Sequence, residues 1–297
     1  MRIIVTGSDG FIGKHLVSYL IAAYPSADVI TFGRDVNLED PGVCSLAFEN
    51  IPQADYVFHL ADKSGSSDWS QANSGMQFFT NSSITINVLR SVSSSQRSAR
   101  FVGVSSLWAY PSTVQIARED SYWNGPLFEA TQHYGFNKKL ISVGLQACKQ
   151  EYGLDGTMLV LCSAYGPGDK SDHIIPTLIR KMKAGADSIK LSSNGLELRD
   201  FAYVSDLAKA ICLHRDYPGK LLNIGSGRHY TIRSVVDTLT RLLDYPGKIE
   251  YSESVTTGDR ILDLALAREF SGWPDDYNLY DLEEGLLMTI KSLEEAK

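Results

Sequence analysis

Tyr134 and Lys138 stand at i and i+4, so on a helix the phenol and the ammonium share one face. A cation beside a phenol favours the phenolate and draws a pKa that starts near ~10 toward the range useful for proton transfer. Of the fifteen tyrosines only Tyr134 has a lysine four residues later, which makes the pair a defined candidate. One strand-to-helix crossover earlier, Ser105 and Ser106 close the apolar run Arg100-Phe101-Val102-Gly103-Val104. Reactive side chains in open parallel sheets sit at strand carboxyl ends, where this serine pair falls. A serine pair closing a strand also reads as a turn or a helix cap.

Those groups need elements to hold them. The first thirteen residues, MRIIVTGSDGFIG, read as a buried β-branched strand, a glycine-rich turn, and a helix that starts inside the turn. Gly7, Gly10 and Gly13 let backbone approach a pyrophosphate, and the first N–H groups of the helix face the anion. Further apolar runs predict parallel strands at 28–32, 55–60, 100–105, 157–162 and 221–225. Helices are expected over about 76–95 and 133–150, and from His173 to about Ala184. Residues 63–75, polar and small apart from Trp69, read as a structureless active-site loop.

The segment TGSDGFIG, followed in order by Ser106 and Tyr134-Gly-Phe-Asn-Lys138, resembles the extended short-chain dehydrogenase/reductase family of nucleotide-sugar epimerases, dehydratases and reductases. The resemblance runs from Met1 to about Gly285. It implies an α/β fold, a Rossmann-type doubly wound parallel sheet with a smaller C-terminal α/β substrate lobe. The expected division is 1–165 for the NADP(H)-binding domain and 166–297 for the lobe, with about 200–228 returning to the main sheet. The resemblance selects Ser106, four residues before Tyr110, as the catalytic serine beside Tyr134 and Lys138.

It also implies a cofactor track along Gly7, Asp9, Gly10, Phe11, Ile12 and Gly13, then Arg34, Asn37 and Leu38, then Leu60, Ala61, Asn81, Tyr134 and Lys138. NAD-preferring members carry Asp where this chain has Gly33, and Arg34 follows, suited to a 2′-phosphate. NADP(H) is therefore expected over NAD(H); the other reading makes Arg34 a solvated cation and Asp35 the ribose ligand. The family pattern HLAA reads His59-Leu60-Ala61-Asp62 here, which places a carboxylate where the phosphates are expected.

Substrate contacts are expected from Ser106, Trp108, Ser163, His173, Arg199 and Arg260. Arg199 and Arg260 suit a diphosphate, because guanidinium forks match phosphate oxygens. Ser163 stands where the family has asparagine. Dehydratases carry Asp-Glu after the catalytic Ser/Thr, and Leu107-Trp108 occupy those positions. The resemblance is nearest to 4-keto-6-deoxy-sugar reductases of the GDP-fucose synthase type, whose epimerising members use a cysteine where Trp108 stands. The expected activity is NADP(H)-dependent reduction at C4 of a nucleotide-linked 4-keto-6-deoxy sugar. A nucleotide-sugar 4-epimerase and a cofactor-sensing regulator on the same fold are the alternatives.

Bulk properties bound the rest. A chain of 297 residues with net charge −7 carries no basic footprint for nucleic acid or anionic membrane. Cys44, Cys148, Cys162 and Cys212 have no metal-ligand spacing and read as reduced thiols. No metal is expected. Without a leader pattern or a membrane-length apolar run, a cytoplasmic enzyme is expected, as a homodimer through the helices near 76–95 and 133–150.

Overall fold

Six β-branched and aliphatic runs form one parallel sheet because each is apolar on both faces. The computed structural model describes residues 1–253 and 258–295. Its strands are β1 Arg2–Thr6, β2 Asp28–Phe32, β3 Tyr56–His59, β4 Arg100–Ser106, β5 Ile116–Ala117, β6 Gly156–Leu161 and β7 Ser163–Tyr165. They continue with β8 Ser188–Leu191, β9 Leu198–Tyr203, β10 Leu221–Ile224, β11 His229–Thr231, β12 Lys248–Tyr251 and β13 Ile261–Leu262. The helices are α1 Phe11–Ala23, α2 Pro41–Glu49, α3 Ser67–Ala72, α4 Ser74–Ser95 and α5 Gln132–Tyr152. After them come α6 Ile174–Lys183, α7 Val204–Leu213, α8 Ile232–Leu242, α9 Ala265–Ser271 and α10 Leu282–Glu295.

The main sheet runs β10-β6-β4-β3-β1-β2, all parallel. Side chains alternate across it as the pleat requires. Ile3 and Val5 join one apolar layer with Leu16 and Leu20 of α1 and Leu207 and Ile211 of α7. Ile4 and Val57 face the other layer, built from α2, α4 and α5. The strand order reverses between β1 and β3, and the crevice outside such a reversal is where doubly wound sheets bind ligands. There the two turns abut. Gly7 has φ +71°, and a Cβ on it would lie 2.7 Å from Ala61 N, so only glycine fits.

A second lobe has its own apolar centre, including Tyr165, Ile179, Phe201, Val235 and Leu286. Its three-stranded sheet is β11-β9-β7, with β12-β8 as a separate pair. All six expected main-sheet strands are present, and β10 returns beside β6. The segment 200–228 does not return as a block. β9 stays in the lobe sheet, because Phe201 and Tyr203 pack into the lobe centre, while α7 and β10 cross back. The stretch expected to be a structureless loop contains α3, whose first turn is capped by Ser66 accepting from Trp69 N at 3.2 Å. No helix among the described residues is long and apolar enough to cross a membrane.

Asn223 of β10 fastens the main sheet to the segment that covers its edge. Its Oδ1 accepts from Tyr110 OH at 2.7 Å, and its Nδ2 donates to Ala117 O and Asp263 O at 2.8 and 3.0 Å. The β5-β13 pair is thereby held against the sheet. Asn223→Ala would leave the Tyr110 hydroxyl and the Asp263 carbonyl unpartnered, at about 1–3 kcal/mol each before relaxation, while Ala117 O keeps Asp263 N. The variant should lose about 2–4 kcal/mol of unfolding free energy in denaturant titration. A loss under about 0.5 kcal/mol, the range of a neutral surface change, would refute this fastening role.

Candidate active site

The sheet pleat sorts the two serines. Ser105 is 2% exposed, and its Oγ lies 2.9 Å from Tyr122 OH inside the fold. Ser106, the last residue of β4, is partly open; its Oγ accepts from Trp108 N at 3.3 Å, and its hydroxyl favours ionisation of the Tyr134 phenol. Tyr134 and Lys138 lie one turn apart on α5, with the ammonium 5.6 Å from the ring centroid. Between them on the helix, Gly135 lets α5 approach closely, since a Cβ there would meet Trp108 O at 2.9 Å. Lys138 is 5% exposed and donates from Nζ to Val104 O of β4 at 3.1 Å. Helix and strand therefore meet through the lysine itself, and Ser106, Tyr134 and Lys138 form one cluster.

Asp62, the departure from the HLAA pattern, joins that cluster. Its Oδ2 lies 2.5 Å from Lys138 Nζ. Burial lowers the lysine's proton affinity, but Asp62 and Tyr134 more than offset this and raise it. For Tyr134 the expected direction is reversed. Burial pushes the phenol up and Asp62 adds to it, against the downward pull of Lys138 and Ser106. Spacing alone showed the lysine; the carboxylate that offsets it comes from 76 residues upstream.

The turns after β1 and β3 are tied by Thr6. Ala61 N donates to Thr6 Oγ1 at 3.4 Å, and Thr6 Oγ1 lies 2.9 Å from His59 Nδ1. Gly10 precedes α1 without any side-chain cap, so the first N–H groups of Phe11, Ile12 and Gly13 are open to an anion. This is the fit a dinucleotide pyrophosphate requires. Leu60 and Ala61 follow β3 along the same edge, both partly buried. At the far end Arg34 is exposed, and its backbone N donates to Asp9 Oδ2 at 3.0 Å.

Other members of the expected track have structural partners. Leu38 is 5% exposed and packs in the core under β2. Asn37 Oδ1 accepts from Glu39 N, closing a turn. Asn81 Oδ1 accepts from Lys63 N at 2.7 Å and its Nδ2 donates to Lys63 O at 2.9 Å. It therefore fixes the turn after β3 and reaches a cofactor only through that turn.

On the substrate side, Trp108 lies between the Phe128 ring at 5.9 Å and the Arg260 guanidinium at 5.7 Å. Arg260 corrects the expected diphosphate contact. It is 1% exposed, and its Nη atoms donate to the carbonyls of Pro111, Ser112 and Val114. The two Nη atoms thus clamp the loop after β4, while the buried Nε has no partner among the described residues. Arg199 is 8% exposed, and its Nη1 donates to Leu198 O and Gly258 O at 2.7 Å each. Ser163 opens β7, partly buried. His173 precedes α6 and is exposed. Its neighbour Asp172 accepts from Ser66 N and Oγ at 2.7 and 2.6 Å, clipping the lobe to the entry of α3. Phe128, Thr6 and the Ser66–Asp172 clip carry no local sequence signal, because each is defined by a distant partner.

The profile of the NAD dependent epimerase/dehydratase family matches residues 3–225. The chain is 29% identical over 272 residues to the GDP-L-fucose synthase of Dictyostelium discoideum, covering 86% of this chain and 84% of that protein. It is similar in structure to a GDP-mannoheptose C4 reductase from Campylobacter jejuni with NADP bound, at TM-score 0.84 and 20% identity, covering 99% and 98% of the two chains. A Thermotoga maritima UDP-glucose 4-epimerase aligns at TM-score 0.85 and 24% identity, covering 100% and 99%.

His59 gives the site a pH signature in stability. It is 1% exposed, and burial, then the Lys138 charge, lower its pKa to about 3. Unfolded histidine titrates near ~6.5, so between these values the unfolded chain binds the extra proton. The contribution is fully present above ~6.5 and is lost as pH falls toward about 3, amounting to roughly 4 kcal/mol across the window. His59→Gln should flatten the unfolding free energy between pH 6.5 and 4 relative to the parent. Parallel pH curves for the two proteins would show that His59 is not held neutral.

Proposed function

The chain belongs to the NAD dependent epimerase/dehydratase family, and on that footing we propose that it is an NADP(H)-dependent reductase of a nucleotide-linked 4-keto-6-deoxy sugar. The observation that carries this reading is the cluster of Ser106, Tyr134 and Lys138 beside an uncapped glycine turn at the sheet's reversal point. The named relatives support the substrate class: a GDP-L-fucose synthase in sequence and a GDP-sugar C4 reductase with NADP in fold. Gly33 leaves no acid at the position NAD-preferring members use, and exposed Arg34 follows it, which supports NADP(H) over NAD(H).

In this reading the α1 N-terminus would hold the pyrophosphate, the Leu60-Ala61 edge would border the dinucleotide, and Arg34 would pair with the 2′-phosphate. NADPH bound there supplies a hydride, with its electron pair, to the C4 carbonyl carbon. As the C=O π bond breaks, Tyr134 gives its phenolic proton to the oxygen and Ser106 Oγ donates a hydrogen bond to the same atom. Lys138 steadies the phenolate left behind until solvent returns the proton. Arg199, Trp108, Ser163 and His173 would line the sugar and diphosphate side.

Inversion at C3 or C5 needs a base and an acid on opposite faces. Trp108 stands at the position of the cysteine that supplies one of them, and an indole N–H only donates. The reading is therefore reduction without epimerisation. Four cysteines without disulfides support the expected reducing compartment, the cytoplasm. A homodimer through α4 and α5 is supported by their open apolar side chains, among them Phe79 at 70% and Phe136 at 56% exposure.

The direct test is turnover of a panel of nucleotide-linked 4-keto-6-deoxy sugars, GDP-linked ones first, in D₂O. NADPH should be used in preference to NADH, and Arg34→Ala should narrow the gap by weakening NADPH alone. The product should carry no solvent deuterium at C3 or C5, and Tyr134→Phe should cut turnover by about 10²–10⁴. Near-normal turnover by Tyr134→Phe, or deuterium at C3 or C5, would count against the assignment. Light scattering should give twice the 32.8 kDa chain mass; the single mass would refute the dimer.

A further inference from the structure

Asp62 is where the turn after β3 departs from the pattern it resembles, and the structure gives the departure a partner. Its Oδ2 contacts Lys138 Nζ at 2.5 Å, with the two side chains only 16% and 6% exposed. Among the described residues no donor other than this ammonium reaches Oδ2. The ammonium also donates to Val104 O at 3.1 Å and lies 5.6 Å from the Tyr134 ring centroid. Carboxylate, ammonium and phenol thus form a file running from the β3 turn to α5. Seen from the phenol, the lysine is half of an ion pair rather than an isolated positive charge.

We propose that Asp62 is a positioning residue, anchoring Lys138 and offsetting its charge so that Tyr134 stands as the neutral phenol, the form that gives a proton. The inference rests on the reductase reading and deepens it. A lone lysine stabilises the phenolate, which takes a proton from an alcohol and so serves oxidation. A lysine paired with a carboxylate holds the phenol protonated at higher pH and so serves reduction.

The other groups around Tyr134 leave this role to Asp62. Ser106 favours the phenolate, opposite in direction. Tyr122 is engaged with Ser105 at 2.9 Å. His59 lies on the strand beneath, and its buried ring is held neutral. Lys139 points away, over the Tyr122 and Trp123 rings at 5.2 and 4.8 Å. His133 is bonded to Gln77 Oε1 at 2.8 Å, and Arg260 lies over Trp108. Burial of Tyr134 also favours the phenol, but Asp62 is the carboxylate in contact with its lysine.

The test reads the phenol itself. Protein labelled with ¹³C at tyrosine Cζ is titrated by NMR without ligand, and Tyr134→Phe identifies the resonance. Asp62→Asn should lower the Tyr134 midpoint by about one pH unit or more, the size expected when a neighbouring countercharge is removed. Asp62→Glu should restore most of the shift. The alkaline limb of kcat/KM for reduction should move down with the midpoint. Asp62→Ala gives the same readout if Asp62→Asn does not fold. A midpoint unchanged in the folded variant overturns the proposal, whatever turnover does. Failure of the reductase reading shows separately, as parent protein that turns over no keto sugar while its phenol still titrates.

Discussion

A single buried ammonium holds this site together. Lys138 leaves α5, meets the carbonyl of Val104 at the end of β4, and faces Asp62 from the turn after β3. Three elements that are far apart in the chain therefore converge on one charge. An ammonium this deeply buried persists only where a carboxylate and a carbonyl replace its water. Its neighbours inherit their behaviour from it. Tyr134 is drawn down by it and pushed up by its partner, and His59 is kept from charging by burial and by the same positive field.

The fold was legible because its signals are local. Each main-sheet strand is a mainly apolar run, and the alternation of Ile3, Ile4 and Val5 between two layers follows from the pleat. The glycine turn and the Tyr134–Lys138 spacing are read from fewer than a dozen contiguous residues each. β9 illustrates the limit. Its sequence suits either sheet, and only the partners β7 and β11 place it in the lobe.

The site was legible in its members and less so in their roles. A guanidinium fits phosphate oxygens and backbone carbonyls with the same fork, so Arg260 in sequence does not reveal that a loop has taken its donors. Asn81 likewise spends both ends of its amide on Lys63. Asp62 was visible as a departure from a pattern, but its effect depends on an ion pair across 76 residues. Ser105 and Ser106 are chemically identical in sequence and are distinguished by which side of β4 each one faces.

Trp108 has a consequence beyond stereochemistry. Where the related epimerising enzymes hold a thiol, this mouth presents an indole packed between Phe128 and Arg260. Cys162, which follows β6, is 7% exposed, and burial and Asp200 hold its thiol well above the ordinary pKa. Cys148, the one cysteine that is not buried, lies near the opposite end of α5 from Tyr134. Electrophiles and peroxides react with thiolates, and no thiolate stands at this mouth. In the proposed reaction its proton chemistry runs on oxygen and nitrogen alone, so thiol-directed reagents have no target among the residues named for it.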